Sequence, residues 1–354
     1  MRTRLMGTVL LLSQVLAIQA WAGFDEAVAA YTRGDYATAF REWLPLAQRG
    51  DASAQFNLGA MYNDGKGVPQ DYTQALQWYR LAADQGITKA QYNLGVMYEY
   101  GEGIPQDYAQ AAQWYRKAAE QGYAKAQYNL GLLYNNGHGV PQDYAEAMKW
   151  YHRAADQGDA KAQNNLGLMY DNGEGIPQNY AQAARWYRKA AEQGYADAQF
   201  NLGLVYHQGQ GIPQDYAQAV QWYRRAADQG DAKAQYNLGQ MYRQGRGVPQ
   251  DSAQAAQWYR RAAEQGYATA QFNLGLMYAN GLGVSQDYQQ GYFWFSLAAG
   301  NPSPGQIRED AVHNRDRTAA RLTPAQLAAA QSRVRTWQPK PETPVSVPIA
   351  GPDH

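Results

Sequence analysis

Ala54-Gln55-Phe56-Asn57-Leu58-Gly59 is the first of seven near-identical runs, and the others start at Ala90, Ala126, Ala162, Ala198, Ala234 and Ala270. The interval is 36 residues every time, with no insertion between Asp51 and Pro302. A fixed period of this size marks stacked helical units, each burying its apolar face only against its neighbours. The sequence therefore predicts seven equal blocks: 51–86, 87–122, 123–158, 159–194, 195–230, 231–266 and 267–302. Function is expected on an extended surface.

Within the first block, Ala54, Leu58, Met61 and Tyr62 form the apolar stripe of a helix, here called A, and Leu94 and Tyr98 repeat the pattern in the second. Gly59 sits inside that helix, where glycine costs about 1 kcal/mol against alanine. It returns at Gly95, Gly131, Gly167, Gly203, Gly239 and Gly275, which predicts that a neighbouring helix passes close by. Gly65-Lys66-Gly67-Val68-Pro69-Gln70-Asp71 then forces a turn, because the glycines permit positive φ and the proline forbids further helix. Asp71 reads as an N-cap, with Gln74 three residues on as a variant capping box. A second helix, B, follows with Ala75, Trp78, Tyr79, Ala82 and Ala83 on its apolar face; the tryptophan recurs at Trp114, Trp150, Trp186, Trp222, Trp258 and Trp294.

Taken together, Ala-x-x-x-Leu-Gly-x-x-Tyr, Gly-x-Gly-Val-Pro-Gln-Asp-Tyr and Ala-x-x-Trp-Tyr-x-x-Ala-Ala-x-x-Gly resemble the Sel-one-like repeat (SLR) family, a relative of the tetratricopeptide repeat with a longer inter-helix loop. The resemblance covers about three-quarters of the chain that follows residue 22. It implies an all-α fold, a right-handed α-α superhelix or solenoid of seven helix-loop-helix repeats with helical caps. It also implies adaptor roles in assembling complexes, in cell-envelope processes or in contact with host cells. Three departures from the pattern stand out. Asn164 replaces an aromatic, Ser252 replaces the tyrosine after the cap, and the seventh block exchanges its proline for Ser285 and turns apolar at Tyr292-Phe293-Trp294-Phe295.

The ends differ from the repeats, as a stack requires. Residues 1–22 read as a signal peptide: Arg2 and Arg4, an apolar Leu5 to Ile18, then Ala20-Trp21-Ala22 before Gly23. Export through a cleaved signal, to the periplasm or beyond, is the expectation. Residues 23–50 read as a helical hairpin cap, 303–337 as two capping helices with Thr323 as N-cap and Pro324 in the first turn, and 338–354 as a proline-rich disordered tail. No later stretch approaches the roughly 20 apolar residues of a membrane span.

Composition narrows the chemistry. Cysteine is absent, which excludes disulfides, a thiol nucleophile and thiolate metal sites. Basic and acidic residues balance at 31 each, and loss of Arg2 and Arg4 leaves about −2, so nothing favours nucleic acid. The five histidines, His138, His152, His207, His313 and His354, show no metal-ligand spacing, and no cofactor is expected. Paired glycines such as Gly65 and Gly67 lack the strand, third glycine and lysine of a nucleotide loop. No Gly-x-Ser-x-Gly elbow or Ser-x-x-Lys occurs. Some cysteine-rich members of the SLR family are associated with penicillin binding, and this chain offers no residues for that. Glu99, Glu102, Asp171 and Glu174 against Arg243 and Arg246 read either as a solvated rim or as an acid-to-base gradient.

On a helical wheel, Phe56, Ala60 and Asn63 fall opposite the Leu58 stripe. In related solenoids helix A lines the concave face, so the equivalents of Phe56 (Tyr92, Tyr128, Phe200, Tyr236 and Phe272) and those of Ala60 would follow it.

 That second set is Val96, Leu132, Leu168, Leu204 and Leu276, with Gln240 in the sixth repeat. The two sets predict an aromatic and aliphatic ridge that either packs between A helices or anchors a partner. The reading that follows is a non-enzymatic scaffold binding a protein or peptide. The alternative is a peptidoglycan-acting enzyme or glycan-binding accessory protein, with Glu99 and Glu102 as its only acid-base candidates.

Overall fold

A computed structural model describes residues 23–301 and 305–339; the signal-peptide stretch 1–22, residues 302–304 and the tail from 340 onward lie outside the described residues. Every regular element among the described residues is a helix. The chain divides into two compact units, 23–159 and 160–339 in described residues. The first holds α1 (23–32), α2 (Tyr36–Gln48), α3 (Ala52–Asp64), α4 (Tyr72–Asp84), α5 (Thr88–Tyr100), α6 (Tyr108–Glu120), α7 (Ala124–Asn136) and α8 (Tyr144–Asp156). The second holds α9 (Ala160–Asn172), α10 (Tyr180–Glu192), α11 (Ala196–Gln208), α12 (Tyr216–Asp228), α13 (Ala232–Gln244), α14 (Ser252–Glu264), α15 (Ala268–Asn280), α16 (Tyr288–Gly300), α17 (Gln306–Ala319) and α18 (Pro324–Thr336). Each unit is a run of antiparallel hairpins, odd-numbered A helices alternating with even-numbered B helices from α3 to α16.

The inter-helix loop has its spelling because it must satisfy the carbonyls that end helix A. In the first repeat Gly65 takes the left-handed conformation (φ 67°) and, with Lys66, donates to Met61 O. The Asp71 N–H reaches Tyr62 O at 2.9 Å, and the Gln70 side chain reaches Asn63 O at 2.7 Å. Three successive carbonyls are thus closed by a loop of seven residues. The Asp71 carboxylate then caps α4 by accepting from the Gln74 N–H at 3.0 Å. A reciprocal capping box forms at Thr323 and Gln326, at the start of α18.

The second loop glycine serves stacking. A Cβ at Gly67 (φ +72°) would lie 2.7 Å from the Tyr36 carbonyl oxygen, at the start of the preceding B helix. The loop therefore rests on the backbone of the hairpin before it.

Inside a hairpin, helix A meets helix B at the repeated glycine. A Cβ at Gly59 would stand 2.5 Å from a Tyr79 ring carbon, and at Gly167 the same distance from Tyr187. The ring that lies against the glycine is fully buried, as Tyr79, Tyr115, Tyr151, Tyr187, Tyr223 and Tyr259 show. B helices bury one face, whereas α3 and α5 are buried nearly all round.

At the N-terminal end, Phe24 and Tyr31 pack on Trp43, centroids 6.2 and 5.7 Å apart. At the other end, Ala311 of α17 closes on Ala298 and Ala299, and Val334 and Trp337 join the Phe293 and Trp294 cluster. The Arg333 guanidinium lies 4.4 Å from the Phe293 ring centroid. The apolar seventh repeat is covered by these two helices.

Candidate interaction surface

The ridge positions do not share one environment. Phe56 and Val96 are 0% and 2% exposed, Ala60 2% and Tyr92 1%, so the ridge is closed in the first two repeats. Tyr128 and Leu132 in the first unit, and Leu168, Phe200, Leu204, Tyr236, Phe272 and Leu276 in the second, are half-buried. The ridge is thus covered in the first two repeats and half-open in later ones. Each ring also packs within its own hairpin. Phe56 lies 5.8 Å from Tyr79, Tyr92 5.7 Å from Tyr115, Tyr128 6.0 Å from Tyr151, Phe200 6.0 Å from Tyr223, Tyr236 5.7 Å from Tyr259 and Phe272 5.8 Å from Phe295. Tyr92 is held further by Tyr123 at 5.1 Å. The pairs within hairpins are tilted and the Tyr92–Tyr123 pair is edge-on, geometries that suit ring quadrupoles.

The structural repeat residues sort by face. Leu58, Leu94 and Tyr98 are buried and Tyr62 half-buried. The tryptophans lie at the edge of the core: Trp114, Trp150, Trp222, Trp258 and Trp294 are 5–9% exposed, and Trp78 and Trp186 somewhat more. A cation three residues on covers the ring in five repeats, from Lys117 at 3.7 Å over Trp114 to Arg153 at 4.6 Å over Trp150. Across the junction of repeats, Arg80 donates to the Tyr98 hydroxyl, Arg116 to Tyr134 and Arg188 to Tyr206.

The charges at the ends of the A helices have a local purpose. The Tyr115 hydroxyl donates to Glu99 Oε2 at 2.5 Å and the Tyr187 hydroxyl to Asp171 at 3.2 Å, while His207 Nδ1 meets the Tyr223 hydroxyl at 3.2 Å. In the seventh repeat the ring is Phe295, without a hydroxyl, and the matching position is Ala279. Polar partner and hydroxyl disappear together. Burial pushes the Glu99 and Asp171 carboxyls above their usual range, against the pull of these hydrogen bonds, and holds His207 below its own. Glu102 is pushed up by burial too, while Glu174 accepts from Asn172 at 3.0 Å. Arg243 donates to Gln240 Oε1, and Arg246 lies 5.4 Å from the Tyr216 centroid. Most of these charges therefore face neighbouring side chains, whereas the buried Glu102 Oε2 has no hydrogen-bond partner.

Sequence reasoning missed a ladder of glutamines. The buried Gln91 donates to Ala83 O at 3.1 Å and accepts from Gln121 at 2.7 Å, which ties the start of α5 to the ends of α4 and α6. Gln55 with Gln85, Gln127 with Gln157, Gln163 with Gln193, Gln199 with Gln229 and Gln235 with Gln265 repeat the second bond at 2.7–2.9 Å. Recurrence every 36 residues was the available signal. A repeated glutamine alone does not tell a buried polar chain from an exposed one.

Among the described residues no group of three or more His, Asp or Glu could hold a metal, and no helix is long and apolar enough to cross a membrane.

The Sel1 repeat profile matches residues 52–87, 88–123, 124–159, 160–195, 196–231, 232–267 and 268–301. The crystal structure of a Sel1 repeat protein from Oxalobacter formigenes is 37% identical, with a TM-score of 0.62, over 71% of this chain and 99% of that one. The protective antigen c5321 of uropathogenic Escherichia coli, which displays an SLR fold, is 31% identical over 93% of this chain and 89% of its own, with a TM-score of 0.41. No curated protein matches the chain. Seven matched repeats over most of its length place this chain in the Sel1 repeat family, whose members are in general protein-interaction scaffolds.

Proposed function

We propose that the chain is an exported, non-enzymatic scaffold that holds a protein or peptide against the A-helix face of its repeats. The observation that carries this reading is the set of half-buried apolar side chains at two registers four residues apart: Tyr128 and Leu132 in the first unit, and Leu168, Phe200, Leu204, Tyr236 and Leu276 in the second. They stand on helices fixed by ring pairs and glutamine bonds, so a partner would bind them at little ordering cost. Half-buried apolar positions in a row are the kind of surface where partner anchors dock. Export rests on the Arg2, Arg4 and Ala20-Trp21-Ala22 pattern. An intact mass starting at Gly23 in a periplasmic fraction would support it, and an uncleaved cytosolic chain would contradict it.

The surface is tested by placing a photocrosslinking benzoylphenylalanine at Leu204 and, as a control, at exposed Arg185 on α10. The scaffold reading expects a crosslinked partner from position 204 and none from position 185. Crosslinks from 185 alone would move the site off the A helices.

A further inference from the structure

Helix B opens on a tyrosine in the N-terminal hairpin, Tyr36, and in every repeat but the sixth, where Ser252 stands. In four repeats its hydroxyl accepts from the loop glutamine: Gln70 to Tyr72 at 3.0 Å, and Gln106 to Tyr108, Gln142 to Tyr144 and Gln286 to Tyr288 at 3.1 Å, while Gln178 and Gln214 bond the Asp171 and His207 carbonyls. Its ring lies beside the residue between the loop glycines of the following repeat. His138 is 5.0 Å from the Tyr108 ring and Arg246 is 5.4 Å from the Tyr216 ring.

In the sixth repeat both partners remain and the ring is missing. Gln250 keeps its bond to Arg243 O at 3.0 Å, and the loop residue of the next repeat is Leu282, which is 50% exposed. The gap has not closed. A Cβ at Gly283 would lie 2.2 Å from the Ser252 carbonyl, much as one at Gly247 would lie 2.3 Å from that of Tyr216. Backbone stacking between loop and helix therefore keeps the spacing that elsewhere holds a ring. A groove of about 590 Å³ beside Arg224, Tyr242 and Trp258 shares Gln250 and Asp251 with this gap but is lined by neither Ser252 nor Leu282.

We propose that this gap receives an aromatic side chain, a tyrosine above all, from the protein or peptide that the scaffold holds. The incoming ring takes the place beside Leu282 that the chain's own tyrosine takes in other repeats, and its hydroxyl accepts from the Gln250 amide. The occupant's chemistry is read from those other copies of the position. The inference rests on the scaffold reading and adds a side-chain preference to it.

The test titrates N-acetyl-tyrosinamide into the chain of residues 23–354 and follows the Leu282 methyl and Gln250 side-chain amide signals by NMR. Both sets should move, N-acetyl-phenylalaninamide should bind about fivefold more weakly for want of the hydroxyl, and N-acetyl-alaninamide should leave them still. Ser252→Tyr, which restores the repeat's own ring, should weaken binding at least about tenfold. If that variant loses its helical circular dichroism, Leu282→Glu tests the opposite wall with the same loss expected at the Gln250 signal. Unmoved signals, an equal response to the alanine amide, or undiminished binding by the folded variant would overturn the proposal. Any of these leaves the scaffold reading in place, because that reading is judged by crosslinks at position 204.

Discussion

At Gly167 a Cβ would stand 2.5 Å from the Tyr187 ring, closer than side-chain carbons pack. Gly167→Leu is expected to cost about 1–3 kcal/mol through overpacking, read as a lower urea midpoint; an unchanged midpoint would contradict the contact. This glycine was legible in the sequence because a costly residue repeated at one helical position needs a cause. Its neighbour in the argument was not. Glu99 looked like rim charge, because its partner Tyr115 sits sixteen residues away, on another helix. The folded protein holds the Glu99 proton above the usual 4.5, chiefly through burial. Between 4.5 and the raised value the unfolded chain has released a proton that the folded one keeps, so this group makes stability fall as pH rises through that window. Glu99→Gln cannot ionise and removes that fall. Its stability relative to wild type is expected to grow as pH rises above about 4.5, in urea melts across pH; a pH-independent difference would contradict the assignment.

Helices and turns were legible element by element, since glycine, proline and the capping aspartate punctuate each block without ambiguity. The bonds that tie element to element were not, because a buried glutamine and an exposed one are spelled alike. In the second unit Gln235 donates to Ala227 O at 3.1 Å and accepts from Gln265. Gln235→Leu would remove both bonds, although Ala227 O keeps the Gly230 N–H and the Gln265 amide keeps Gly230 O, so the expected cost is about 0.5–1.5 kcal/mol by urea denaturation. The last rung is the converse case. Asn301 replaces the closing glutamine and bonds Gly266 O at 3.0 Å, while the buried Gln271 Oε1 has no hydrogen-bond partner. Asn301→Gln is expected to supply the missing donor and stabilise the chain by about 0.5–1.5 kcal/mol. A lower midpoint would show that the rung cannot be rebuilt there.

For the molecule as a whole, the period fixed the repeat architecture before any contact was known. The binding face followed less completely. A helical wheel shows which side of helix A a ring occupies, but not whether the ring is covered: Phe56 and Tyr92 are closed while Phe200 and Tyr236 are half-open at equivalent positions. The most direct measurement is therefore affinity capture by the chain of residues 23–354, beside two variants with unchanged helical circular dichroism. One carries Leu204→Ser and Leu168→Ser on the A helices, and the other carries Arg185→Ala and Arg188→Ala on α10. The account predicts that a partner held by wild type is retained by the α10 variant and lost by the A-helix variant. Equal retention by both, or loss from the α10 variant alone, would contradict it.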